Sequence, residues 1–484
     1  MAKTAKLSMK KNMIIFAIGV FFTKIVSFLV SPVYSRFLSE AEFGVVDILA
    51  TTSALLIPLF TLAISEAIVK YGLDEDNDLK QVFTTGVIVV FFGLFLIAGF
   101  TLVTGQFIYS EYMWAALPFF LSECLFVFLQ AFSKAEKDTI GYSISSIIYC
   151  LVCVASIILL IVVKDYGVNG YLTGCTIGTL AACLFLVIKC KCWNYFSFHS
   201  INKALVKRMI LYSIPLIFSN VAYWLISGSD KYITNWLMGV EYNGHLSVIH
   251  KIPTLCTLLY SIFHYAYTMS ALKDHQLKDN SREEDEVFYS TLFRYVTILL
   301  VFGTLAVSLL SQPIVMLYAD AYVDDWIFIP LYTFGVVLGS FRNFYISIYC
   351  AKEKTLKIFL VVMTGAIING VLCYTLMKFA GLGLWATAIS TIAANGFIFI
   401  FYYFDSRKYL TIRMGIKEII SLLLAFAVAF IPWFEQLRVV YIYYPIVGGV
   451  IVALLILNHR TLINLVKDAL PQRLFKKKEE TPNE

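Results

Sequence analysis

Apolar stretches long enough to cross a bilayer recur fourteen times along this chain, with its charged residues concentrated in the gaps between them. They run over 13–33, 45–69, 82–104, 112–132, 142–163, 168–188, 210–238, 246–269, 291–316, 327–350, 358–377, 382–404, 419–434 and 441–457. Each predicts a helix, because a run of this length at about 1.5 Å per residue covers a hydrocarbon core of ~30 Å. Runs this long exclude barrel strands, the other way to satisfy backbone groups in lipid. The expected fold is an all-α polytopic membrane protein of about 14 transmembrane helices.

Within the spans the polar residues keep helical phase. Lys24, Ser27 and Ser31 share a face of the first span. Asp47, Thr51, Ala54, Pro58, Thr61 and Ser65 form a face of the second. Asn220, Trp224, Ser227 and Lys231 align on the seventh, with Asp230 beside them. A shift of 200 residues carries Asp47, Thr51, Ala54, Thr61 and Ser65 onto Ser247, Lys251, Thr254, Ser261 and Tyr265 of the eighth. The simplest arrangement has these faces meeting across a watery cavity.

A cation at mid-bilayer costs roughly 2.5–3.5 kcal/mol even on insertion scales, so such residues point to function. Lys24, Lys231 and Arg342 are the central cations, and Glu123 is central in the fourth span. Lys251 and Arg294 lie nearer span ends, where long side chains reach the interface. Bland roles exist for several acids: a packing ion pair for Asp230, an interfacial position for Glu66, a helix cap for Asp47. Lys24 is the hardest to explain that way, since no acid adjoins it in sequence. Cations outnumber acids among the central charges, which suits an anionic group such as phosphate or pyrophosphate. Glu66, Glu123 and Asp230 are candidates for binding H⁺ or Na⁺. Trp224, Tyr260 and Tyr265 are aromatic candidates for stacking on sugar rings.

The chain also repeats itself. Arg36-Phe37-Leu38-Ser39-Glu40-Ala41-Glu42-Phe43-Gly44 answers Asn235 to Gly244; Ala135-Glu136-Lys137 answers Lys352-Glu353-Lys354; Gly167 to Tyr171 answers Gly381 to Trp385. Three matches in one order predict a duplicated six-span unit, as in parallel-repeat transporters. The expected organisation is two six-helix lobes, 1–200 and 201–410, around a central cavity, then a transmembrane hairpin and basic tail over 411–484.

Composition adds topology. Hydrophobic residues make up 60% of the chain and charged ones 14%, too apolar for a soluble domain. With the N-terminus inside, 29 lysines and arginines fall in cytoplasmic segments and four in outside loops, so both termini are expected in the cytoplasm. The net charge of +6 reports that bias and gives no reason to invoke nucleic acid. The first apolar run is too long for a cleavable signal. Ten cysteines lie mostly within spans and suggest small buried hydrophobes. Cys190, Cys192 and His199 fit no standard zinc spacing. No P-loop, HExxH or nucleophile–base context points to an enzyme.

In Pro32, Arg36-Phe37-Leu38, Glu42-Phe43-Gly44, Asp47, Ser213-Ile214-Pro215-Leu216 and Ser229-Asp230-Lys231-Tyr232, the chain resembles the O-antigen oligosaccharide flippases of the multidrug/oligosaccharidyl-lipid/polysaccharide exporter superfamily. The resemblance implies an alternating-access carrier, not an enzyme, in the bacterial inner membrane. Its substrate would be an undecaprenyl-pyrophosphate-linked oligosaccharide, moved from the cytoplasmic to the outer leaflet for surface polysaccharide. No cofactor beyond a coupling ion is implied; glycosyltransferase or polymerase machinery would be partners. A cation-coupled drug exporter and a lipid II flippase are the nearest alternatives, and a membrane polymerase or ligase the more distant one.

Overall fold

The computed structural model describes residues 22–74, 76–197, 200–261, 263, 282–351 and 354–469, and among them all regular structure is helical. α1 covers 22–35. It is followed by α2 (Glu40–Phe60), α3 (Ile64–Leu73), α4 (Leu79–Thr104), α5 (Met113–Ala135), α6 (Thr139–Ile157), α7 (Gly167–Lys189), α8 (Lys203–Leu237) and α9 (Val240–Lys251). α10 (254–261), α11 (Arg282–Val315), α12 (Ile329–Ala351), α13 (Thr355–Lys378), α14 (Trp385–Asp405), α15 (Ile416–Phe430) and α16 (Val440–Ala469) complete the order.

Eleven of these segments are long and apolar enough to cross a membrane, and the bent pair Asp320–Ile327 and Ile329–Tyr349 brings the number to as many as twelve. Two further expected spans, 13–33 and 246–269, run into residues outside the described set. The protein is multi-pass. Phe91 and Phe95 on α4 each expose 73% of their surface, which lipid solvates and water would not.

The described chain forms two compact units by contact. One gathers the residues up to Val248 with Met316–Val323 and Phe359–Ala386; the other gathers Ile249–Val315, Asp324–Ile358 and the chain from Thr387. These units group residues by contact, whereas boundaries at 200 and 410 follow the sequence repeat. In the first unit α7 lies against α5 and α6, and α2 against α8. In the second, α11 packs on α12, α15 and α16.

The second expected span is not one helix. α2 starts at a capping box, with the Ser39 side chain and Glu42 exchanging bonds with each other's backbone N–H. Asp47 therefore lies inside the helix, and the capping role considered for it belongs to Ser39. Pro58 lacks a donor N–H, and Leu62 and Ala63 take left-handed φ values of 53° and 48° before α3 resumes. Proline is tolerated in membrane helices because neighbouring groups restore the freed bonds. At the break the Ala63 N–H donates to the Pro58 carbonyl, and the Thr61 hydroxyl joins the Thr61 N–H on the Ile57 carbonyl.

Two of the three repeat motifs prove to be backbone requirements, while Lys352 and Glu353 of the third lie outside the described residues. Gly167 and Gly381, the first residues of the paired openings, both have positive φ, at 52° and 64°. Gly44 and Gly244, the last residues of the other pair, meet reciprocally. A methyl group on Gly44 would collide with the Val240 carbonyl oxygen, and one on Gly244 with that of Glu40. Both partners are offset by the same 200 residues, so the contact is self-complementary, as around a twofold axis. Asn243 adds a bond from its side-chain N–H to the Gly44 carbonyl at 2.9 Å, and His245 meets Glu40 at 3.1 Å.

Candidate transport site

The polar faces of α2 and α8 come together in the first unit. Lys231 Nζ lies 2.8 Å from Asp47 Oδ2 and donates to Thr51 Oγ1 at 3.2 Å. Each charged side chain is only 13% exposed, so the pair is largely withdrawn from solvent. Trp224 Nε1–H donates to the Thr51 carbonyl at 2.8 Å, and the Tyr232 and Thr52 hydroxyls are bonded to each other. The indole of Trp224 rests on Tyr232 with ring centres 5.3 Å apart. Asp230 is fully buried and its Oδ1 accepts the Lys231 N–H.

Toward the α2–α3 break the same faces line a cavity of about 380 Å³, walled by Pro58, Thr61, Glu66, Asn220, Trp224 and Ser227. Glu66 is exposed on its wall, and its charge reaches Lys134 and Tyr212. A second cavity of about 260 Å³, mainly apolar, lies on the other side of Trp224, between Leu55, Phe100, Ile108, Met113, Phe120 and Tyr232. One indole thus borders both chambers, of which the first is the more polar.

The other expected residues are placed as follows. Lys24 and Ser27 are exposed on α1, and Lys24 has no ion pair among the described residues. Ser31, one turn on, is buried and donates to the Tyr318 hydroxyl at 3.2 Å. Glu123 stands apart from both cavities, hydrogen-bonded with Tyr149 of α6. Lys251 and Arg342 belong to the second unit. There the Arg342 guanidinium donates to Asn395 Oδ1 at 3.3 Å, while Arg294 pairs with Glu418 at 3.0 Å. Tyr260 is buried in that unit, and Tyr265 lies outside the described residues. The cations thus differ in state: Lys231 is held by a carboxylate, Arg342 donates to a neutral amide oxygen, and Lys24 is exposed.

The pairing of Lys231 with Asp47 was hidden in the sequence by their separation of 184 residues. So was the partnership of Arg36, whose guanidinium donates to the carbonyls of Leu317 and Met316.

No group of three metal-ligating side chains occurs among the described residues, and His199 lies outside them. Burial first, then the Glu136 carboxylate, pushes the Cys192 thiol up to about 11; the same two causes raise Cys190 further. Both thiols therefore stay protonated at neutral pH, which disfavours metal ligation. Alkylation of Cys192 by iodoacetamide at neutral pH is expected to run roughly a hundredfold slower in the native protein than after unfolding. Equal rates, read by peptide mass spectrometry, would contradict this burial.

Solved structures share this fold. An inward-facing multidrug resistance MATE family transporter of the MOP superfamily matches with a TM-score of 0.64 at 12% identity, over 80% of this chain and 95% of that one. Lipid II flippase MurJ in an inward closed conformation matches with 0.63 at 14%, over 94% of this chain and 100% of that one. A MOP superfamily transporter from Pyrococcus furiosus, described as having a binding pocket of reverse polarity, matches with 0.57 at 14%, over 83% and 96%. No curated protein matches the chain in sequence. The family model for polysaccharide biosynthesis proteins matches residues 9–270, more than half of the 484. The chain belongs to that polysaccharide biosynthesis family.

Proposed function

We propose that this protein is an alternating-access flippase that carries undecaprenyl-pyrophosphate-linked oligosaccharide from the cytoplasmic to the outer leaflet of the bacterial inner membrane. The family match over 9–270 carries this reading. The cavity beside Trp224 and Asn220 supports it, because an indole offers a sugar ring a stacking face and an amide offers its hydroxyls hydrogen bonds. In this reading Lys24 meets the diphosphate, and Lys231 is released to it when Asp47 lets go. Ser27 and Ser31 continue the Lys24 stripe, and Lys251 and Arg342 are the cationic candidates of the second unit by itself.

Deletion of the gene is expected to remove the surface polysaccharide, and Lys24→Ala to do the same at normal membrane abundance. Lys24→Arg should keep more export than Lys24→Ala. Full export by Lys24→Ala at normal abundance would defeat the assignment of Lys24. A second reading, a cation-coupled drug exporter, is favoured by one observation: Glu66, Tyr223 and Trp224 give the same cavity an acid and two aromatic faces, which suit an organic cation. Altered drug sensitivity with intact polysaccharide would select it.

A further inference from the structure

The acids within the spans differ in what answers their charge. Asp47 has Lys231. Asp230 has the Lys231 N–H. Glu66 is exposed and opens onto the cavity beside Trp224. Glu123 has none of these. It sits halfway along α5, half-buried, and its hydrogen-bond partner among the described residues is the phenol of Tyr149. No lysine or arginine among those residues pairs with it. The titratable groups facing it are Tyr149 from α6, and Cys175 and Cys183 from α7. From α2, α3 and α4, which also pack on α5, no charged group among the described residues acts on it.

A line of neutral polar groups continues beyond Tyr149. Cys175 Sγ is 3.5 Å from Cys153 Sγ and is bonded to Tyr171. Tyr171 is bonded to Tyr34, Tyr34 to Ser31, and Ser31 to Tyr318. Five elements of the first unit contribute to this line: α5, α6, α7, α1 and the Met316–Val323 segment.

The chemistry around Glu123 selects its ligand. A hard metal cation needs a cage of oxygen donors, and one phenol with two thiols does not make one. A proton needs a single lone pair, and hydroxyls and thiols can pass it on. We propose that Glu123 is the proton-binding carboxyl of this transporter, taking up one proton as its carboxylate becomes the acid and releasing it on the reverse step. The Cys175–Tyr171–Tyr34–Ser31 line is its route toward the α1–α2 turn. The coupling role rests on the flippase reading; the proton site itself does not.

The test uses the full chain in lipid nanodiscs and dicyclohexylcarbodiimide, which modifies protonated carboxyls in apolar surroundings. Peptide mass spectrometry should find Glu123 modified at neutral pH and Glu66 unmodified. The yield should fall about tenfold per pH unit above its midpoint, as a single titrating site requires. Replacing potassium chloride by sodium chloride should leave it unchanged. No modification of Glu123, or severalfold protection by sodium, would overturn the proposal. In cells, Glu123→Gln at normal abundance should lose export, and wild-type export by it would overturn the coupling role. If gene deletion spares the polysaccharide while Glu123 still labels as expected, the flippase reading fails and the proton site stands.

Discussion

Lys231→Met is expected to lower the stability of the purified protein by roughly 2–5 kcal/mol and to stop export, because it strands the Asp47 carboxylate with each partner only 13% exposed. Asp47→Leu should cost a similar amount by stranding the ammonium. The double variant should recover most of that stability, since no buried charge is left without its counterpart, yet remain inactive. Thermal unfolding in detergent reads the first quantity and surface polysaccharide the second. If the double variant is as unstable as the sum of the singles, the two side chains are not coupled and the site is drawn wrongly. Thr51 and Trp224 sharpen the expectation, because they hold the α2 side of the pair in place through the Thr51 hydroxyl and carbonyl.

The second large effect is expected at the reciprocal glycines. Gly44→Val and Gly244→Val each force a branched side chain into the opposite helix's backbone, which cannot swing aside as a flexible side chain would. Overpacking of this kind costs about 1–3 kcal/mol, and more where backbone must shift. Each variant should melt lower than the wild type and lose export, and Gly→Ala at the same positions should do so more mildly. A Gly44→Val protein that melts like the wild type would show that α2 and α9 do not approach this closely.

How much of this was legible beforehand follows from what kind of force fixes each feature. The spans were readable because a bilayer demands a set length of apolar helix. The faces of α2 and α8 were readable because helical phase is local: Thr61 and Ser65 were on one stripe and Asn220, Trp224 and Ser227 on another, and one cavity now takes both. Gly44 and Gly244 were visible as a repeat, but the collision that requires them was not. Charge partners were least legible. Nothing near Lys231 in sequence names Asp47, and nothing near Glu123 names Tyr149. The expectation of a set of free cations came from counting charges span by span, which cannot see that a carboxylate on another helix already answers one of them. The break after Phe60 leaves no mark in the sequence, because Pro58 is compatible with a membrane helix and the left-handed step falls on leucine and alanine, which carry no turn signal.

That step has a mechanical consequence. Leucine and alanine resist a left-handed backbone by about 1–3 kcal/mol each, whereas glycine would adopt it freely. A glycine pair would let the kinked shape of the span rest as its ground state. Leu62 and Ala63 instead keep it cocked, so that straightening returns energy and the span behaves like a bow held bent by its neighbours.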